Sequence, residues 1–241
     1  MGAISFSLDV NLVDALKAKL PLDILVETGT FHGDTVAVLK DYFNKVISIE
    51  LSQELSHEAT KRFSNDLHVE IVNSDSPSGL QAFSMELADK SVLYWLDAHW
   101  CIADNTAGSE SQCPLLEELK AIGSINSQSV ILIDDARLFL APPPKPHNVD
   151  QWPMFDAILR SLIGLSDSHE VMVINDVIAF YPPSVKDEII QYARDNGVDW
   201  LETTDALKQL NQTLSDMEKK EQFIQQQARH VTWSNGLEQP S

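Results

Sequence analysis

Six carboxylates and one histidine stand just where short apolar runs end, and their types suggest what they handle. Glu27 opens the segment Glu27-Thr28-Gly29-Thr30-Phe31-His32-Gly33-Asp34-Thr35, which leads from an apolar run straight into a helix-period stretch. Two glycines at such a turn permit a tight bend and the close approach of a ligand. The spacing is G-x-x-x-G, not the G-x-G-x-x-G of dinucleotide folds, and the preceding carboxylate repels a pyrophosphate but suits an ammonium group. Glu50 ends the next run, 21 residues after Gly29. An acid at that point accepts hydrogen bonds from a ribose diol. Asp75, in Ser74-Asp75-Ser76 after the third run, is placed to accept from an exocyclic amine such as that of adenine.

Three more acids follow the fourth and fifth runs: Asp97 in Trp95-Leu96-Asp97-Ala98-His99-Trp100, and the pair in Ile133-Asp134-Asp135-Ala136-Arg137. On adjacent strands these carboxylates converge, and they repel one another unless protonated or bound to a cation. Hard oxygen ligands with open positions suit Mg²⁺, completed by water and substrate oxygen. His99 is the candidate general base, since the unperturbed pKa of a histidine is near neutral. Each acid also has an ordinary use, as a helix cap or as a partner for a cation such as Arg137.

The elements that position these residues show in the hydropathy pattern. Ile24-Leu25-Val26, Val46–Ile49, Val69–Val72, Val92–Leu96 and Val130–Ile133 are short, β-branched or aromatic runs, as strands buried on both faces of a parallel sheet require. Helix-period segments lie between and after them: Thr35–Tyr42, Gln53–Phe63, Gly79–Leu87, Pro114–Ile122 and Trp152–Leu165. The alternation argues for an α/β fold with a doubly wound, mostly parallel sheet and right-handed crossovers. Then Val171–Ile174 and Val177–Tyr181 are separated only by Asn175-Asp176, too few residues for a parallel crossover, so they must form an antiparallel hairpin. The Pro-rich stretch Ala141–His147 follows the fifth strand and overhangs the carboxyl edge, as a lid, a substrate wall or a stiff connector. From Leu207 the apolar positions Leu207, Leu210, Leu214, Met217, Ile224, Ala228 and Val231 mark an amphipathic helix. It either packs back on its own domain or serves as a coiled-coil seam through which copies associate.

One ligand combines an ammonium, a ribose diol and an adenine amine without phosphate: S-adenosylmethionine. Here residues 20–183 resemble the class I methyltransferases. Their first motif, an acid-x-Gly-x-Gly-x-Gly turn, is matched by Glu27, Gly29 and Gly33, with Phe31 in place of the middle glycine. The closing hairpin matches the family's strand order and implies a seven-stranded sheet. The resemblance implies a cofactor site built from Glu27, Gly29, Thr30, Phe31, Gly33, Glu50, Asp75 and Asp97. The acids after the fourth and fifth strands resemble those of metal-dependent O-methyltransferases of the catechol and macrocin types. That resemblance implies Asp97, Asp134 and Asp135 as metal ligands, with Asp97 and His99 catalytic. His99, Cys101 and Cys113 supply only three soft ligands at no structural zinc spacing. Trp100 and Trp152 offer a stacking wall for a sugar or aromatic ring, or simply core packing, and the polar segment Ala103–Gln112 offers hydrogen bonds to a polyhydroxylated acceptor.

Composition narrows the partners. The 241 residues carry 17 Lys+Arg against 36 Asp+Glu, a formal net charge of −19, which argues against nucleic acid and anionic membrane surfaces. Two cysteines make no disulfide framework, and neither a signal peptide nor an apolar run of membrane-spanning length is legible, so a cytoplasmic chain is expected. The expected organisation is a methyltransferase-like domain over residues 1–200 and a helical appendage over 201–241. The expected activity is methylation of a hydroxyl on a small molecule or sugar, assisted by Mg²⁺. The alternative, suggested by Phe31 and by the missing lysine of the catechol-type motif, is a non-catalytic member acting as an assembly module through its C-terminal helix.

Overall fold

The computed structural model describes residues 8–100 and 111–234, with the side chains of 200 and 222–234 set aside. Residues up to Gly197 form one compact unit, and Val198–Ser241 belong to a second. The first unit is built on a seven-stranded sheet of β1 (Ile24–Thr28), β2 (Lys45–Glu50), β3 (Val69–Asn73), β4 (Val92–Leu96), β5 (Val130–Ile133), β6 (Glu170–Ile174) and β7 (Val177–Tyr181). The spatial order is β3-β2-β1-β4-β5-β7-β6. The first five strands pair in parallel, while β7 runs antiparallel to both β5 and β6. The doubly wound sheet and the closing hairpin read from the sequence are both present.

Helices cover both faces. Successive residues of a strand point to opposite sides, so Leu25, Leu93 and Leu132 enter one core and Val26, Tyr94 and Ile131 the other. The first core is closed by α1 (Val10–Lys17), α2 (Asp34–Leu39) and α8 (Lys186–Asn196). The second is closed by α4 (Ser76–Leu87), α5 (Leu115–Ile122) and α7 (Phe155–Leu165). Strand β4 is buried along its whole length, and the edge strands β3 and β6 are only partly so. That gradient fits the apolar and aromatic runs of β4 and β5, whereas β3 carries Glu70 and β6 begins at Glu170.

Element ends follow capping chemistry. Helix α3 (Gln53–Arg62) is capped by Ser52, whose hydroxyl accepts from the Leu55 amide, and α4 by Asp75, which accepts from Ser78 at 2.9 Å. The expected Thr35–Tyr42 helix divides into α2 and a 3₁₀ turn, Lys40–Tyr42, and the expected Trp152–Leu165 helix begins at Phe155. The short α6 (Arg137–Leu140) follows β5 directly. The second unit contains one long helix, α9 (Trp200–Ser234). Among the described residues, no helix is long and apolar enough to cross a membrane.

Candidate functional site

Parallel strands bring β1, β2, β4 and β5 to a common carboxyl edge, and the acids read from the sequence gather there. Glu27, in β1, is 1% exposed. Its carboxyl accepts from Ser48 Oγ in β2 and is also bonded by the Thr35 hydroxyl. Ser48 Oγ in turn lies 2.6 Å from Thr30 Oγ1. Burial pushes Glu27 up to about 8, against the pull of the Ser48 and Thr35 hydrogen bonds and with a further push from Glu50. At neutral pH the acid therefore holds a proton, and it would surrender that proton to a cation bound beside it.

The turn after β1 depends on its glycines. Gly29 has φ +82° and donates its amide to Ile49 O at 2.9 Å. A Cβ there would collide with the carbonyl oxygen of Asp97 at the end of β4. Gly33, at φ +77°, would drive a Cβ to 2.8 Å from the Phe63 ring. Gly29→Ala is expected to cost on the order of 3 kcal/mol, from the unfavourable φ and the forced separation of the β1 and β4 turns. Urea denaturation checks this, and a variant as stable as the parent would refute it. Phe31 occupies the left-handed region at φ +49°, and its side chain is 38% exposed.

Glu50, at the end of β2, organises the same turn. Its Oε2 accepts the Phe31 amide at 2.9 Å and its Oε1 the Ser52 amide at 2.8 Å. Each oxygen retains a further lone pair, so the carboxylate is oriented without being saturated. Asp75 serves as the N-cap of α4, which commits one of its oxygens to Ser78.

The second acid group is held by ion pairs. His99 Nε2 lies 2.7 Å from Asp135 Oδ2 and 3.7 Å from Asp97 Oδ1. Asp135 sits at φ +54°, and its Oδ1 accepts from Arg137. Arg137 also pairs with Asp176, whose Oδ1 accepts the Arg137 amide at 2.8 Å and whose carbonyl accepts the Ala136 amide at 2.8 Å. Burial pulls the His99 imidazole down, but the Asp135 hydrogen bond and the charges of Asp97, Asp135 and Asp134 outweigh it and lift it to about 9. Burial raises Asp135, and His99 and Arg137 overcome it to bring the carboxyl down to about 2. Asp134 is pushed up to about 6 by burial and by Asp135, and its Oδ1 is buried without a partner. Asp97 is raised well above the usual carboxylate range, first by burial, with Asp134, Asp135 and Glu27 adding to it and His99 opposing.

These contacts give the expected metal site no support. Asp97, Asp134 and Asp135 do come to one edge, but both oxygens of Asp135 are engaged, by His99 and Arg137. Among the described residues no group of three His, Cys, Asp or Glu is arranged to hold a metal ion. The like-charge repulsion is relieved instead by protonation and by two cations from the chain itself. The buried Cys113 thiol is pushed up to about 12 by burial; Cys101 lies outside the described residues.

Two participants escaped the sequence reading. Asp176 sits in the β6–β7 turn, 39 residues from Arg137, and nothing local announces their contact. Glu118 did leave a signal, an acid on the apolar stripe Leu115, Leu119 and Ile122 of α5. It is buried, which raises its pKa, with Ser76 and Thr28 hydroxyls bonded to its carboxyl and Oε1 left unpartnered. Trp152 belongs to the core, its ring 5.6 Å from His99 and 5.5 Å from Phe139, and its indole N–H donates to Gln112. Trp100 and His147 meet edge-on at 5.4 Å, joining the β4 turn to the Pro-rich segment, while Gln112 also accepts from the Asn148 amide. Residues 103–110 of the polar segment lie outside the described residues.

No family model and no curated protein sequence matches the chain. Solved structures do match. A candidate rRNA methylase from Clostridium thermocellum shares 13% identity, covering 72% of this chain and 98% of its own, with a TM-score of 0.50. A candidate methyltransferase from Streptococcus mutans, solved with SAH, shares 11% identity over 72% of this chain and 98% of its own, with a TM-score of 0.49. A candidate caffeoyl-CoA O-methyltransferase from Staphylococcus aureus shares 15% over 70% and 79%, with a TM-score of 0.47. The chain shares the Rossmann-like fold of the Clostridium thermocellum protein, with a mostly parallel seven-stranded sheet closed by an antiparallel hairpin.

Proposed function

We propose that the chain is an S-adenosylmethionine-dependent methyltransferase that methylates a hydroxyl oxygen of a small molecule or sugar. The observation that carries this reading is the convergence of Glu27, the Gly29 turn, Glu50 and Asp97 on one carboxyl edge, beside the switch in strand order between β1 and β4. S-adenosylmethionine supplies a methyl on a sulfonium, which leaves as a neutral thioether. Glu27 faces the methionyl ammonium, and Glu50, already oriented by two amides, takes the ribose diol. Gly29 lets the β1 turn close on the Asp97 backbone, which sets Asp97 beside the positive charge. Asp75 takes the adenine amine with the oxygen its capping bond leaves free.

The acceptor's proton goes to His99. The imidazole is protonated at neutral pH in the resting site, with its affinity set near 9. Positive charge brought in beside Asp97 lowers that affinity and makes the neutral base available. Alignment of the two reactants supplies the rest of the rate. Mg²⁺ is given no step in this scheme: His99 and Arg137 already supply positive charge to Asp135. An RNA acceptor is disfavoured by the net charge of −19.

Titration calorimetry with S-adenosylhomocysteine tests the reading directly. Saturable binding supports it; no heat at millimolar ligand would sink it in favour of the assembly module. Glu27 adds a signature. Its folded affinity near 8 means that a cationic ligand must expel its proton below that pH. Binding enthalpies at pH 7 should differ between phosphate and Tris buffers, by an amount equal to release of most of one proton. Affinity should rise with pH and level off above about 8. A buffer-independent enthalpy would remove Glu27 from the ammonium site.

A further inference from the structure

The unit Val198–Ser241 contains a single described helix, α9, and a lone helix cannot bury its own apolar stripe. Leu207, Leu210, Leu214 and Met217 are between 49% and 61% exposed. Their spacing alternates strictly between three and four residues, and in the sequence it continues through Glu221, Ile224, Ala228 and Val231. That is a period of 3.5. A straight α-helix drifts from such a repeat by about 20° per heptad, so only a supercoiled partner keeps the whole stripe covered.

The polar residues point the same way. The ion pairs Lys208–Asp205 at 2.9 Å and Lys219–Asp216 at 3.4 Å lie off the stripe, as does the Gln212–Asp216 hydrogen bond. They solvate the outer face and leave the seam to apolar groups. Glu221 is the one charged residue in the seam, and Lys220 precedes it at the flank. In a parallel, in-register pair a seam residue packs beside the flanking residue of the other helix. Each Glu221 then meets Lys220 of the second copy, and two-fold symmetry makes the match twice. A single polar seam position of this kind sets register and strand number.

We propose that α9 docks a second copy of this chain in a parallel two-stranded coiled coil, with Leu207, Leu210, Leu214 and Met217 in the seam. The proposal is independent of the catalytic reading, so either can fail alone. Sedimentation velocity of the full chain at tens of micromolar should give twice the 26.9 kDa chain mass. The double variant Leu210→Asp, Leu214→Asp should run as a monomer with the thermal transition of residues 1–197 unchanged. Lys220→Glu should weaken dimerisation about tenfold, and adding Glu221→Lys should restore it. Leu210→Cys should cross-link on oxidation through position 210, since parallel, in-register helices set the two copies of that residue side by side. A monomeric parent overturns the proposal. So does a dimer that survives the aspartates, or one in which Leu210→Cys stays uncross-linked.

Discussion

Glu50→Ala is expected to weaken S-adenosylhomocysteine binding roughly a hundredfold, equivalent to about 3 kcal/mol. Two losses add up. The carboxylate is the proposed acceptor for both ribose hydroxyls, and charge-assisted hydrogen bonds each contribute about 1.5–3 kcal/mol. It also fixes the Phe31 and Ser52 amides, so its removal loosens the turn on which the ligand rests. Phe31 at φ +49° is held in a backbone conformation that costs on the order of 1 kcal/mol, and the Glu50 bond helps to keep it there. Calorimetry on the parent and variant decides the matter. Unchanged affinity would remove Glu50 from the site whatever else the protein binds. Glu50→Gln, which keeps the shape and an acceptor oxygen, should lose less.

Asp135→Asn should be the most damaging single change to the fold around the site. It leaves the His99 imidazolium buried without its counter-charge, at an expected cost of about 3–5 kcal/mol. For a chain of this size that is a fall in Tm of roughly 6–20 °C. The effect should depend on pH in a defined direction. His99 has its folded affinity raised from 6.5 to about 9, so its contribution is complete below 6.5 and disappears as pH rises through 9. Asp135 is lowered from 3.8 to about 2, so its contribution is present above 3.8 and disappears as pH falls through 2. The two describe one interaction. The parent should thus exceed the variant most between about pH 4 and 6.5, and the gap should close toward pH 9. Differential scanning fluorimetry across that range tests it. A gap that is constant with pH would mean that Asp135 acts by packing and not by charge.

Much of the fold was legible because burial writes itself into composition. Strands β4 and β5 are inaccessible to water on both sides, so Val92–Leu96 and Val130–Ile133 have no polar residue to confuse the reading. The two-residue Asn175-Asp176 gap left the hairpin no alternative. The sequence reading missed helices α1 and α8, each of which fully buries only a short stripe, Leu12, Val13 and Leu16 or Ile189 and Tyr192. The edge on which each acid lies followed from strand order. What each acid's oxygens are already doing did not. Nothing local in Asp134-Asp135 shows that Arg137 and His99 pair with Asp135, and the residue that secures Arg137 comes from the β6–β7 hairpin. Partners contributed by distant strands have no local pattern.

The β6–β7 turn has a consequence for anyone who would move this site. Asp176 grips both the amide and the guanidinium of Arg137, and its carbonyl takes the amide of Ala136. The β4–β5 edge is therefore not a portable module. Grafted onto an α/β scaffold that ends in a parallel sixth strand, His99 and Asp135 would arrive without the clasp that orients them. The hairpin has to travel with the acids, and recombination between related folds should tolerate crossovers before β4 far better than between β5 and β7.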